Sequence, residues 1–585
     1  PRNVTRYATF NGDVTWSNTG QKLAFVSRRR GSTSMHVLSL QRPAAPGATA
    51  SDIDWEDIHL RVTRPTAQSA DEGTISPDGT KVAFRSGEQA GGDLWVAGAE
   101  GREVQRLTTG NLRPRQITWS KRISGAIYFL DRTGALRIAR PTVPGLPAAL
   151  AAGSAEPARV AFTAKLTFRR DEEFREMFAQ SWRLVSENFY DPAYNGVDWT
   201  GVRAKYAGLV KHVALKEDLY ALISLMLGEL NASHLGIVGP TTPPEEVTAD
   251  LGLLFDETYK GPGLKVAEIL KHGPADKRGL RLKAGDVVVT IDRQPVTPDH
   301  EVSEMLNGKV GETVQVDYVP ASADPSDAKA RKRVEIQGID RNQTAGLVYD
   351  RWVDQNAERV AKLSGGKLGY IHIPNMNEDG LEKFVRSLYS DNFDKDGLVL
   401  DVRNNGGGFT HDQVLNYLTG REHTVFKQRD GGEGIVVREN DRKWTKPIVV
   451  LINERTYSDA EIFPSALRSL NLAKLVGRPT ANMVIFTSRV SLIDGSVFML
   501  PRTGVYTMKG INMEKQGVTP DVLVENTPEH IAKGVDAQIA KAVDVLREDV
   551  VAWKKNRENP SRTDTGTAAA TGGNPATSPP PGGSN

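Results

Sequence analysis

The sequence predicts a multidomain chain: a repeated β-rich region, then a helical segment, a compact β unit and an α/β core. Three observations predict it. Alternating apolar and polar residues with tight-turn signals recur before residue 160. Helical spacing takes over at Asp171, and after about residue 345 short apolar runs alternate with helical stretches. At 585 residues the chain exceeds what one hydrophobic core organises, so about three to five domains are expected.

The first region, residues 1–160, carries three related copies of a β pattern. One holds Val14-Thr15-Trp16-Ser17 and Leu23-Ala24-Phe25-Val26. The second runs Ile75-Ser76-Pro77-Asp78-Gly79 into Val82-Ala83-Phe84 and Leu94-Trp95-Val96. The third begins at Ile117-Thr118-Trp119-Ser120. Ser-Pro-Asp-Gly is a tight turn between short strands. Multi-strand repeats of about 40 residues suggest propeller blades. Three blades do not close a ring, so a partial β-propeller is expected, with further blades and any signal peptide lying before Pro1.

A helical subdomain is expected over 165–240. Phe174, Met177, Phe178, Trp182, Val185 and Phe189 fall on one helical face, and a face of this kind ordinarily packs as core.

Residues 245–340 read as one compact unit. Leu251, Gly252, Leu253, Leu254 and Phe255 precede Leu264-Lys265-Val266, and Gly285-Asp286-Val287-Val288-Val289-Thr290-Ile291-Asp292 follows. This resembles a PDZ domain. PDZ domains take an extended peptide by strand addition, and the resemblance makes residues 251–255 the peptide-binding loop. A purely architectural role for such a unit is the plain alternative.

The expected α/β (α+β sandwich) core spans 345–552. Residues 368–373, 398–402 and 448–452 are apolar runs of buried strands, each followed by polar or glycine-rich sequence and a helical stretch. Residues 556–585 are rich in Pro, Gly, Thr, Ser and Ala and are expected to be disordered.

Three segments of this frame can carry chemistry. Ser458 follows a buried strand and opens a helix, where free amides and the helix dipole favour a developing oxyanion. An ordinary N-cap is the bland reading of the same serine. Asn404-Asn405-Gly406-Gly407-Gly408 follows the strand at 398–402, and glycines there let backbone amides turn toward a ligand. His234 closes the helical segment in Asn231-Ala232-Ser233-His234, a setting of small residues.

Taken together, Ser458-Asp459-Ala460-Glu461-Ile462 and the 401–408 string resemble the nucleophile and oxyanion motifs of the C-terminal-processing and tricorn peptidases. In the processing branch a lysine serves as base. The matching string here, Gly477-Arg478-Pro479-Thr480-Ala481-Asn482-Met483, places Met483 at that position, and methionine is no base. The tricorn branch uses a Ser-His pair and a later Glu, matched by Ser233-His234 and Glu514. The resemblance thus implies a serine peptidase with Ser458 as nucleophile, His234 as base, and Ser233 and Glu514 behind it. It places the oxyanion donors at Asp459, Gly407 and Gly406. It also implies peptide or unfolded-polypeptide substrates and a homo-oligomer, a hexamer among the options.

Other classes fit less well. The formal net charge of +2 argues against a dedicated nucleic-acid or polybasic membrane binder. With no cysteine, thiol catalysis and disulfides are excluded. No apolar run approaches the roughly 20 residues of a membrane helix. No His-Glu-x-x-His string suggests a metal, and no cofactor is implied. An α/β-hydrolase such as a prolyl oligopeptidase needs Gly-x-Ser-x-Gly, which is absent. The alternative from another class is a non-catalytic peptide-binding propeller and PDZ protein with a relic core. A cytoplasmic location is expected, or a periplasmic or secreted one if a signal peptide precedes Pro1.

Overall fold

The computed structural model describes residues 3–6, 11–29, 32–42, 53–86, 92–141, 157–163, 165, 167–240, 244, 246–297, 301–419, 422–426, 435–438 and 443–558. The chain divides into two compact units, Pro1–Thr167 and Phe168–Asn585. Most of the tail expected to be disordered lies outside the described residues.

Among the described residues the first unit contains three antiparallel four-stranded sheets. The first holds β1 (Asn11–Trp16), β2 (Lys22–Arg29), β3 (Ser32–Ser39) and β4 (Val62–Thr63). The second holds β5 (Glu72–Ile75), β6 (Lys81–Ser86), β7 (Asp93–Gly98) and β8 (Gln105–Arg106). The third holds β9 (Arg115–Trp119), β10 (Ile127–Leu130), β11 (Leu136–Ala139) and β12 (Ala158–Arg159). Each is a propeller-like blade. Apolar side chains of neighbouring sheets pack together: Val26, Met35 and Val37 against Ile75, Val82 and Phe84, and Leu94 and Val96 against Ile127 and Phe129.

The second unit opens with α1 (Arg170–Asn188), α2 (Trp199–Ala207) and α3 (Lys216–Gly228), then β13 (Gly236–Val238). The aromatic stripe of α1 is core: Phe174, Met177, Phe178 and Val185 are buried with Leu219, Ile223 and Met226. Next comes a six-stranded sheet of β14 (Leu253–Phe255), β15 (Leu264–Ile269), β16 (Val287–Ile291), β17 (Gln294–Pro295), β18 (Thr313–Val319) and β19 (Lys332–Gln337). A short helix, α4 (Val302–Leu306), packs Met305 and Leu306 into its core.

The α/β core is built from α5 (Arg341–Ser364), β20 (Leu368–His372), α6 (Glu378–Ser387), β21 (Gly397–Asp401), α7 (His411–Leu418), β22 (Glu422–Phe426), β23 (Ile435–Arg438), β24 (Ile448–Ile452), α8 (Asp459–Ser469) and β25 (Ala473–Gly477). It continues through β26 (Ile485–Ser491), β27 (Val497–Gly504), β28 (Val522–Leu523), α9 (Pro528–Ala532) and α10 (Ala537–Glu558). Five strands form a parallel sheet in the order β20-β21-β24-β25-β28. Side chains alternate across it. Leu398, Leu400, Ile448, Val450 and Ile452 face α6, α7 and α8 through Phe384, Val414 and Phe463. Val399, Val449 and Leu451 face α5 and α10 through Val360, Ile539 and Leu546. A sheet covered on both faces explains the unbroken apolar runs of its strands.

The boundary expected between helical subdomain and core is not a packing boundary. β13 pairs antiparallel with β27, Gly236 opposite Met499, in the sheet β13-β27-β26. Leu492, Phe498 and Leu500 from that hairpin complete the core of α1–α3. This pairing carries the residues just before β13, Ser233 and His234, to the α/β core. Among the described residues no helix is long and apolar enough to cross a membrane, and no cluster of three or more His, Asp and Glu forms a metal site.

Candidate active site

The site lies where two neighbouring parallel strands end. β21 runs into the 404–408 turn and β24 into the 453–458 loop, the edge at which parallel α/β sheets present functional groups. Four hydrogen bonds lace the two loops together. The Tyr457 amide donates to Asn405 O at 2.9 Å, and Thr456 Oγ1 donates to Val402 O at 2.9 Å. The Asn404 amide donates to Asn453 Oδ1 at 3.0 Å, and Asn453 Nδ2 donates to Asn404 Oδ1 at 3.0 Å.

Ser458 sits at the entry of α8 with φ 57° and ψ −123°. A non-glycine residue in that region is strained, and such strain persists where the surroundings impose it, often at functional sites. Here the Ser458 amide donates to Met483 O at 3.2 Å and to Glu461 Oε1 at 3.2 Å. Glu461 is fully buried and also accepts from Thr480 Oγ1 at 2.5 Å, the Asn482 amide at 3.0 Å and the Met483 amide at 2.9 Å. Burial pushes its pKa above the usual carboxylate range, against those hydrogen bonds. The 480–483 strand of chain, where the processing branch carries its lysine, is thus a backbone cradle for Ser458.

The Ser458 hydroxyl is free to face His234. His234 Nε2 lies 3.1 Å from Ser458 Oγ, across 224 positions of sequence. His234 Nδ1 lies 2.7 Å from Ser233 Oγ, and Ser233 Oγ donates to Glu514 Oε2 at 3.0 Å. Glu514 is buried and further accepts from the amides of Ser233 and Val484, each at 2.8 Å. The four residues therefore form one hydrogen-bonded line ending at Ser458 Oγ. Burial lowers the His234 pKa, and the Glu514 charge partly opposes this. A lowered pKa keeps the imidazole neutral, the form that accepts a proton.

The glycine turn forms a wall against the serine. A Cβ on Gly407 would lie 2.7 Å from Ser458 Cβ and 3.0 Å from the Asp459 amide nitrogen, and its φ is 87°. Glycine alone permits that approach. The Gly407 N–H itself is donated to Asn405 Oδ1 at 2.9 Å. No hydrogen bond engages the amides of Gly406 or Asp459 among the described residues. The Asp459 amide is thus a free donor next to Ser458, and Gly407 supplies the close contact.

The PDZ-like loop belongs to a different sheet. Leu251 and Leu253 are buried in its core, and Leu253, Leu254 and Phe255 form β14 at its edge. The Gly252 amide donates to Asp250 Oδ1 at 2.7 Å.

Residues 367–524 match peptidase family S41, residues 170–228 the tricorn protease C1 domain and residues 249–322 the PDZ domain. The tricorn protease of Thermoplasma volcanium is 28% identical over 407 residues, covering 66% of this chain and 37% of that protein. A tricorn protease homolog of Streptomyces coelicolor is 29% identical over 391 residues, covering 63% and 35%. The chain is a distant homologue of the tricorn proteases, with an S41 peptidase domain. It spans about a third of the length of these tricorn relatives. A carboxyl-terminal-processing protease of Synechocystis sp. is 24% identical over 405 residues, covering 66% of this chain and 90% of that one. The crystal structure of a tricorn protease shares the fold at a TM-score of 0.75 and 22% identity, covering 94% of this chain and 56% of that one.

Two residues of this site carried no sequence signal of their own, and a third, Asn405, was legible only as part of the glycine string. The Tyr457 ring stacks on His234 with centroids 4.7 Å apart and planes at 19°, and its hydroxyl lies 3.2 Å from His234 Nδ1. Asn405 is fully buried and anchors the glycine turn through Ile373 O at 2.8 Å. His411 bonds to Asp459. Adjacency to the serine and to the glycines is the only hint that the sequence offered for them.

Proposed function

We propose that the chain is a serine peptidase that hydrolyses peptides or unfolded polypeptides. One observation carries this reading: His234 Nε2 stands within hydrogen-bond reach of Ser458 Oγ, with Ser233 and Glu514 aligned behind it.

In this mechanism Ser458 Oγ attacks the peptide carbonyl carbon while His234 Nε2 takes its proton. The carbonyl oxygen becomes an oxyanion, held by the Asp459 amide and by the Gly406 amide, or by the Gly407 amide once it is released from Asn405. The imidazolium is supported by Ser233, whose hydroxyl donates to Glu514 and accepts from His234 Nδ1–H. His234 then protonates the leaving amine, and the C–N bond breaks. Water, deprotonated by the same imidazole, hydrolyses the acyl-enzyme. The unbroken line from Glu514 to Ser458 favours this over a relic core, because loss of any one member would interrupt it.

The resemblance to tricorn proteases supports short or unfolded substrates, strand addition of peptide at Leu251, Gly252, Leu253, Leu254 and Phe255, and assembly of the chain into a homo-oligomer. The test is hydrolysis of fluorogenic peptides and of an unfolded protein. Wild type should cleave, whereas Ser458→Ala and His234→Ala should bind the peptide and leave it intact. Equal turnover by Ser458→Ala would end the assignment.

A further inference from the structure

We propose that His411 is a positioning residue for the peptidase reaction: it clamps the Asp459 carboxylate and so fixes the glycine turn against the Ser458–Asp459 peptide across the oxyanion site. The proposal rests on the reading of Ser458 as nucleophile given above.

Asp459 has two ends with different tasks. Its amide, next to Ser458, is a free donor among the described residues. Its carboxylate is 1% exposed, and a charge so buried needs partners. Both hydrogen bonds it accepts among the described residues come from His411. The ring Nδ1 lies 2.6 Å from Oδ1, and the backbone amide donates to Oδ2 at 3.2 Å. His411 is the first residue of α7 and stands three positions after Gly408, so α7 begins where the glycine turn ends. Thr410 occupies the N-cap of α7, yet its buried hydroxyl has no partner. The cap is supplied through space by Asp459 instead. The helix dipole of α7 and the imidazole then hold the same carboxylate. The turn cannot drift from the serine without breaking both bonds.

The clamp is charged when His411 is protonated. The hydrogen bond that His411 donates to Asp459 raises the His411 pKa above its ordinary value, with burial opposing and the charges of Asp459 and Asp412 adding to the rise. The charged groups acting on the ring are Asp459 from α8 and Asp412 from α7 itself. His234 is shifted the other way. Two histidines whose environments push their pKa values apart give two limbs to a pH profile. Activity rises as His234 loses its proton, at a pH below the ordinary histidine range. It falls as His411 loses its proton, above that range, when the ion pair becomes a neutral hydrogen bond.

The experiment follows wild type, Ser458→Ala, His411→Ala and His411→Asn by peptide hydrolysis and by the rate of labelling with a fluorophosphonate across pH. In labelling, Ser458 Oγ forms a bond to phosphorus, fluoride leaves, His234 accepts the hydroxyl proton, and the phosphonyl oxygen occupies the oxyanion site. His411→Ala should lower kcat and the labelling rate about 10- to 100-fold, with KM changed less than threefold. His411→Asn places an amide donor where Nδ1–H stood and does not titrate. It should recover most of the rate and lose the alkaline limb while keeping the acid limb. A wild type that labels and cleaves, beside a His411→Ala that matches it or a His411→Asn that keeps the alkaline limb, overturns the clamp and leaves the nucleophile standing. A wild type that neither labels nor cleaves overturns both. Thermal melting of each variant separates a lost clamp from a lost fold.

Discussion

At the scale of the residue, the proposed mechanism turns on one proton between Ser458 and His234. Removing the nucleophile while leaving peptide binding intact should lower kcat by about 10⁶-fold in Ser458→Ala, read by kinetics against a binding isotherm. The pH dependence follows from the environment of His234. Burial lowers its pKa, so the acid limb of kcat/KM should fall below the ordinary histidine range. The Glu514 charge acts in the opposite sense. Glu514→Gln should therefore move the acid limb further down in pH, and kcat should fall by about 10²-fold as the imidazolium loses its support. An acid limb that moved up instead would contradict the role given to Glu514. Much of this cluster was legible in the sequence, because Ser458, Ser233-His234 and Glu514 each sit in a recognisable string. Tyr457 and His411 were not. Their roles arise from ring stacking and bonds through space, which no spacing along the chain encodes.

At the scale of the element, the site is set by two loops at the end of a buried parallel sheet. Gly407 has a positive φ and touches Ser458, so Gly407→Ala should strain the turn by about 1–3 kcal/mol and depress kcat far more than it depresses the melting temperature. The strand below is anchored by the buried Asp401–Arg403 pair at 2.6 Å, with Arg403 also 2.8 Å from Asp536. Burial opposes the charged form of Asp401, but the Arg403 guanidinium prevails and holds its pKa below the usual carboxylate range. That stability is present at neutral pH and is lost as pH falls through the lowered value. Asp401→Asn leaves Arg403 short of its partner and should cost about 3–5 kcal/mol in urea unfolding. The strands themselves could be read as apolar runs. The pairing of β13 with β27 could not, since nothing in either segment marks a partner about 260 residues away in sequence. That pairing is what delivers His234, so the sequence named the residue and the fold supplied the reason for its reach.

At the scale of the whole molecule, the chain divides into two compact units. All residues of the Ser458 cluster lie in Phe168–Asn585, and the blades lie in Pro1–Thr167. A chain beginning at Phe168 should fold and label at Ser458 as fast as the full chain, if the blades select substrate and take no part in the chemistry. The repeat pattern of the blades was visible in the sequence because each blade repeats one local design. The shared core of α1–α3 with β26 and β27 was hidden, since it joins distant stretches. All of these outcomes depend on Ser458 being an activated nucleophile. The most direct measurement is the mass of the intact chain after exposure to a fluorophosphonate, with the adduct then mapped to a peptide. The expected result is one adduct on Ser458 in wild type, its loss in Ser458→Ala, and strong slowing in His234→Ala. An unlabelled wild type, or an adduct that persists in Ser458→Ala, would contradict it.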